Sequence, residues 1–203
     1  MSRLLALLTL CFALAGCAAA APAPADVTTQ PGVADRGEFA HLLQTGVSYD
    51  FEPTDSPADA VRHADLVVVG RVKQIVEGRI LAYGRSNQQA NMVVQVQKTL
   101  KGSVGDTVYV EVSQPSGVSI DMLEAALPNG RVILFLDDRT DVEASGEESG
   151  RPAGSSVYTP LVDGFVIESG TGWTSGLVDR DSLKAAWSKL ATVDDVIGAT
   201  SGD

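Results

Sequence analysis

"VVQVQKTLKGSVGDTVYVEV", residues 93–112, holds two runs of apolar and polar residues in alternation. Val94, Val96 and Leu100 are separated by Gln95, Gln97 and Thr99, and Met92 extends the same series backwards. After "LKGSVGD" (100–106), Val108, Val110 and Val112 alternate with Thr107, Tyr109 and Glu111. A period of two puts one set of side chains on one face of a strand and the other set on the opposite face. The stretch therefore predicts two half-buried strands joined by a Gly-rich turn.

The neighbouring segments extend the pattern in both directions. Upstream, "ADLVVVGRVKQIVEG" (64–78) is a Val-rich strand whose central Gly70 predicts a bend or bulge. Before it, Asp55-Ser56-Pro57 has the form of a helix start and leads into Ala58–His63. Downstream, Ser119 is placed to cap a short helix carrying Met122, Leu123, Ala126 and Leu127, with Pro128-Asn129-Gly130 as its stop. "RVILFLDD" (131–138) is almost continuously apolar, as a strand covered on both faces would be. Residues 139–155 are acidic and rich in Gly and Ser and read as a loop. Val157–Val162 and Gly164–Glu168 predict two short strands meeting in a hairpin at Asp163-Gly164. Asp181 would cap a helix bearing Leu183, Ala186, Trp187 and Leu190, and Thr192 with Asp195 has capping-box spacing for a last one.

Three strands, a helix and then two more strands is the element order of an OB-like Greek-key β-barrel. The expected fold is mainly β with short helices, such a barrel followed by a C-terminal helix; a β-sandwich is the alternative for this many short strands. "ADLVVVGRV", "VVQVQKTLKGSVGDTVYVEV" and "LPNGRVILFLDD" together resemble a set of secreted and lipid-anchored bacterial proteins with a small OB-like barrel, distantly similar to the netrin and tissue-inhibitor-of-metalloproteinase module. The resemblance runs from Ala64 to about Val166 and implies the fold. Metalloproteinase inhibition is not carried over with it. Those inhibitors act through a free N-terminal cysteine fixed on the barrel by disulfides, and this chain does not match that arrangement.

The two cysteines are Cys11 and Cys17. Arg3 and the apolar run Leu4–Ala15 have the form of a signal peptide, shorter than a bilayer span. Leu14-Ala15-Gly16-Cys17 resembles the lipobox of bacterial lipoproteins, which implies cleavage after residue 16 and lipidation of Cys17 by diacylglycerol with acyl chains such as palmitate. The Ala-rich stretch also permits ordinary secretory cleavage nearby. On the lipobox reading Cys11 leaves with the signal and Cys17 is consumed by lipid, so no disulfide remains. The expected organisation is a lipoprotein signal peptide at 1–16, a disordered Ala/Pro-rich tether at 17–38 and a single barrel domain at 39–203. The expected location is extracytoplasmic, anchored at the cell membrane or envelope, with membrane lipid as the partner of acylated Cys17. Twenty-six Asp and Glu against fifteen Lys and Arg leave a formal net charge of -11, which argues against a nucleic-acid partner.

Signatures of catalysis are sparse. "GTGWTSG" (170–176) centres Thr174 where a nucleophile elbow needs Ser. Only His41 and His63 are available, and a histidine at a helix end is more often structural than catalytic. The ligand spacings of zinc sites are not met, so no metal or cofactor is expected. Asp137, Asp138, Asp141, Glu143, Glu147 and Glu148 form an acidic run without EF-hand order and read as solvated charge. Trp173, among Gly, Ser and Thr, is the tentative ligand or partner contact, or else a lid over the barrel end, the reading that favours burial. The expectation is a non-catalytic module binding an envelope protein or small ligand, with an extracytoplasmic hydrolase as the alternative.

Overall fold

The computed structural model describes residues 37–80, 88–140 and 151–201. The expected signal peptide, Cys17 and nearly all of the expected tether lie outside these residues, as do Asp141, Glu143, Glu147 and Glu148.

The chain runs α1 (Glu38–Gln44), α2 (Pro57–His63), β1 (Leu66–Ile80), β2 (Gln88–Lys101), β3 (Thr107–Ser113), α3 (Ile120–Ala125), β4 (Val132–Asp138), β5 (Tyr158–Ser169) and β6 (Gly172–Ser175). A 3-10 turn (Arg180–Ser182), α4 (Ala185–Ser188) and α5 (Val193–Ala199) follow. The strand order is β3-β2-β1-β4-β5-β6, and β3 also pairs with β5. Five strands therefore close a ring, β1-β2-β3-β5-β4, with antiparallel pairs everywhere except the closing parallel contact at Val110 and Tyr158. This is the OB-like barrel, with α3 between β3 and β4.

Alternation along the strands builds two cores, one on each side of the barrel wall. Val68, Val94, Val110, Leu134 and Phe165 belong to the inner cluster, which α1 enters with Phe39 and Leu43 and α3 with Leu123. Val67, Val69, Ile133, Phe135 and Val166 carry the outer cluster, beneath Trp187, Val193 and Val196 of the C-terminal segment. Thus the first four residues of β1, Leu66 to Val69, and the run from Val132 to Leu136 in β4 are apolar on both faces, which explains the unbroken hydrophobic sequence there. At Gly70 the register of β1 on β2 shifts, and a Cβ there would lie 2.5 Å from the Gln95 carbonyl oxygen. Only glycine fits so close an approach.

Two expected elements take a different form. The predicted hairpin at Asp163-Gly164 is a bulge inside one continuous β5: Leu134 faces Phe165 while Leu136 faces Pro160. The bulge separates the part of β5 that meets β3 at Tyr158 from the part that pairs with β6 over Val166–Ser169. The real hairpin turn is one step later, at Gly170, whose positive φ suits glycine. The predicted helix from Asp181 is broken into the 3-10 turn and the short α4, yet its Leu183 and Trp187 are buried as the apolar spacing requires.

Candidate functional site

The segment after α1 runs without regular structure from Gly46 to Asp55 and is pinned to the barrel by a side chain in the β5 bulge. Asp163 is only 3% exposed, and its Oδ2 accepts hydrogen bonds from the Thr54 backbone N–H at 2.6 Å and the Thr54 hydroxyl at 2.7 Å. The indole N–H of Trp187 donates to the same hydroxyl oxygen at 3.3 Å. One residue thus joins the irregular segment, the bulge and the C-terminal helices.

Between that segment, α2 and the end of β4 lies an open groove of about 560 Å³. Glu52, Asp55, Asp59, Asp137 and Asp163 line it together with His63. Phe51, Pro53, Leu161 and Val162 supply an apolar wall. Ser56 caps α2 by accepting from the Asp59 N–H at 3.2 Å, which fixes the helix that presents Asp59 and His63.

The carboxylates are not equivalent. Asp59 Oδ2 accepts from the Asp55 N–H at 2.9 Å, while its Oδ1 meets Arg62 at 2.5 Å and His63 Nε2 at 3.5 Å. That backbone hydrogen bond, with the adjacent positive charges, holds the Asp59 carboxyl below its ordinary value. For Asp137 the direction is opposite. Burial pushes it up, the Asp65 carboxylate adds to this, and Arg139 and His63 offset part. Two carboxyls that line the groove are therefore shifted in opposite directions, Asp59 down and Asp137 up.

Of the residues singled out in the sequence, the structure brings His63 and Asp137 together here. Asp138 stands at the exposed end of β4, with its N–H donating to Asp65 Oδ2 at 2.9 Å. His41 is exposed in the last turn of α1. Trp173 is 4% exposed in the outer cluster, on β6 rather than on a flexible loop. Its indole N–H donates to the Leu190 carbonyl at 2.9 Å, and the Arg180 guanidinium lies 4.2 Å from its ring centroid. It packs beneath the C-terminal segment, buried as the second of the two readings favoured, and almost none of its ring is open to a ligand. Among the described residues, no three His, Cys, Asp or Glu side chains form a group that could hold a metal ion.

Glu52, Asp55, Asp59 and Asp163 were not singled out in the sequence. "EPTDSPAD" (52–59) holds three of them, but reads there as a helix start; Asp163 reads as a turn residue. Comparison with known proteins finds no family model matching this chain and no curated protein with a significant match to it. What the fold and groove define is an OB-like barrel with an outer acidic cleft, and its function rests on that geometry.

Proposed function

We propose that this chain is a non-catalytic, lipid-anchored protein of the cell envelope, held at a membrane surface through Cys17, whose barrel offers the groove over α2 to a ligand or envelope partner bearing positive charge beside an apolar body. The observation that carries the reading is the lining: five carboxylates and one histidine around a wall of Phe51, Pro53, Leu161 and Val162. A volume of about 560 Å³ is within the ordinary range for ligand clefts, roughly 300–1,000 Å³. A cation there meets its countercharges, and an alkyl or ring portion meets the wall. The lipobox-like Leu14-Ala15-Gly16-Cys17 supports the anchor, and the Ala/Pro-rich sequence that follows supports a spacer between anchor and barrel.

The test has two parts. Trilysine amide titrated into the full chain is expected to perturb residues 51–63 and 161–163 in amide NMR spectra, with affinity falling as salt rises; triglutamate is expected to do nothing. Cross-linking in intact cells is expected to capture a discrete envelope partner with the native protein and to lose it in Cys17→Ser. Unselective or absent binding of the peptides, with no partner in either form, overturns the reading.

One observation favours hydrolysis as the competing function. Asp137, held toward its protonated form, shares a cleft with His63, the pairing that general acid and base chemistry uses. Turnover of an envelope substrate that is abolished in both His63→Ala and Asp137→Asn would establish it.

A further inference from the structure

Of the five carboxylates that line the groove, Asp163 is the most buried, and only one of its oxygens is in use. Oδ2 accepts both the N–H and the hydroxyl of Thr54, at 2.6 and 2.7 Å, which occupies the two lone pairs of that oxygen. Oδ1 accepts no hydrogen bond from the described residues, and the side chain forms no ion pair with them. The residue is only 3% exposed, yet Oδ1 is not sealed off and keeps accessible surface of its own. Asp163 lines the carboxylate groove and none of the three cavities that border β3, so that surface opens into the groove. A buried carboxylate oxygen left without a donor is unfavourable, and a ligand that brings a charged donor stabilises it.

We propose that Asp163 Oδ1 anchors the ligand of this groove and that it takes a primary ammonium on an alkyl stem, the chemistry of a lysine side chain presented by the partner. The proposal rests on the reading of the groove as a site for positive charge and narrows it. An ammonium is a compact charge with three rotatable donors. One N–H can meet Oδ1 while the others turn to Asp137, which lies on the neighbouring strand β4 and whose side chain has no hydrogen bond to the described residues. A guanidinium recognises a carboxylate best as a fork that engages both oxygens. Thr54 has already filled one of them, so an arginine can meet Asp163 only through a single N–H. A quaternary ammonium carries the charge but no donor and leaves Oδ1 as it stands. The stem also has its place, because Pro53, Leu161 and Val162 line the same groove and lysine methylenes bury against apolar surface of that kind.

Trilysine amide, triarginine amide and the trimethyllysine form of the first peptide carry equal charge and differ in their donors. Titrated in turn into the isotope-labelled full chain, trilysine is expected to bind about fivefold more tightly than either of the others and to shift the side-chain carboxyl-carbon resonance of Asp163. In Asp163→Asn the preference is expected to disappear. In Glu52→Gln, at an exposed carboxylate of the lining, the three affinities are expected to fall together with the preference intact. Because Asp163 also holds Thr54, the carboxyl-carbon shift in the parent chain decides the matter if Asp163→Asn does not fold. The proposal is overturned, with the wider reading of the groove left standing, if triarginine or the trimethyllysine peptide binds as tightly as trilysine, or if trilysine binds without moving the Asp163 resonance. If none of the three peptides binds at the groove, the proposal and that reading fall together.

Discussion

Trp187 and Thr54 are 133 positions apart in the chain, and Asp163 joins them through one hydroxyl group. The Thr54 Oγ1 accepts from the indole and donates to the carboxylate, while the Thr54 backbone N–H uses the same carboxylate oxygen. Truncating Asp163 leaves that N–H without its acceptor at a half-buried position. Asp163→Ala is expected to lower unfolding stability by about 1–3 kcal/mol, read as a shift in the urea midpoint, whereas Asp163→Asn, which keeps an acceptor oxygen, should lose less. A second residue in the groove sets a pH dependence. Because burial and Asp65 raise the Asp137 carboxyl, the folded chain holds this proton to higher pH than the unfolded chain does. The folded state then binds more protons in the window between the ordinary and raised values, so this group's contribution is present below the window and is lost as pH rises through it. Asp137→Asn is therefore expected to match the parent at acid pH and to exceed it in stability at neutral pH. Urea midpoints collected from about pH 3 to pH 7 would show the two curves separating upward. Parallel curves would mean that Asp137 titrates alike in both states.

At the scale of elements, what was legible depended on whether the deciding forces were local. Period-two alternation placed β2 and β3, because each needed only to present one face to a core. Ser56, Ser119 and Thr192 marked three helix starts, and each accepts the backbone N–H that a cap should accept. The capping box at Thr192 and Asp195 is complete, so Thr192→Ala is expected to cost about 1 kcal/mol in thermal or urea unfolding. Long-range forces were not legible. Asp163-Gly164 has hairpin chemistry, but Val166 belongs to the outer core and Phe165 to the inner, and a hairpin there would withdraw both from β4. Residues 181–190 have helical spacing, yet Leu183 and Trp187 reach the outer cluster through a broken path whose shape the barrel surface dictates. The groove was half legible for the same reason. His63 and Asp137 were visible as chemistry, but Glu52, Asp55 and Asp163 become neighbours only when the irregular segment after α1 is tied to the bulge.

At the scale of the whole molecule, the barrel is closed unevenly. β1 is paired from Val67 to Ile80 with β2 on one side and from Leu66 to Gly70 with β4 on the other, and its side chains enter both cores. The β3–β5 closure is one parallel contact, Val110 with Tyr158. A cavity of about 300 Å³ lies beside that contact, lined by Thr107, Tyr109, Ser155 and Tyr158 among others. Opening the seam there breaks few backbone hydrogen bonds, whereas separating β1 from β4 breaks the ladder at Leu66, Val67, Val68, Val69 and Gly70 and uncovers apolar side chains of both cores. Local opening follows the least costly route, so hydrogen exchange should distinguish the two places. The amides of Thr107–Ser113 that face β5 are expected to exchange well ahead of the β1 and β4 amides, which should exchange only with global unfolding. Equal protection across the barrel would show instead that the ring opens as one cooperative unit. The carboxylate groove is lined by Asp137 of β4 and by Leu161, Val162 and Asp163 of β5, and among the described residues β3 contributes nothing to it. A cation bound in the groove should therefore slow exchange along β4 and β5 and leave the amides of β3 that face the seam unchanged.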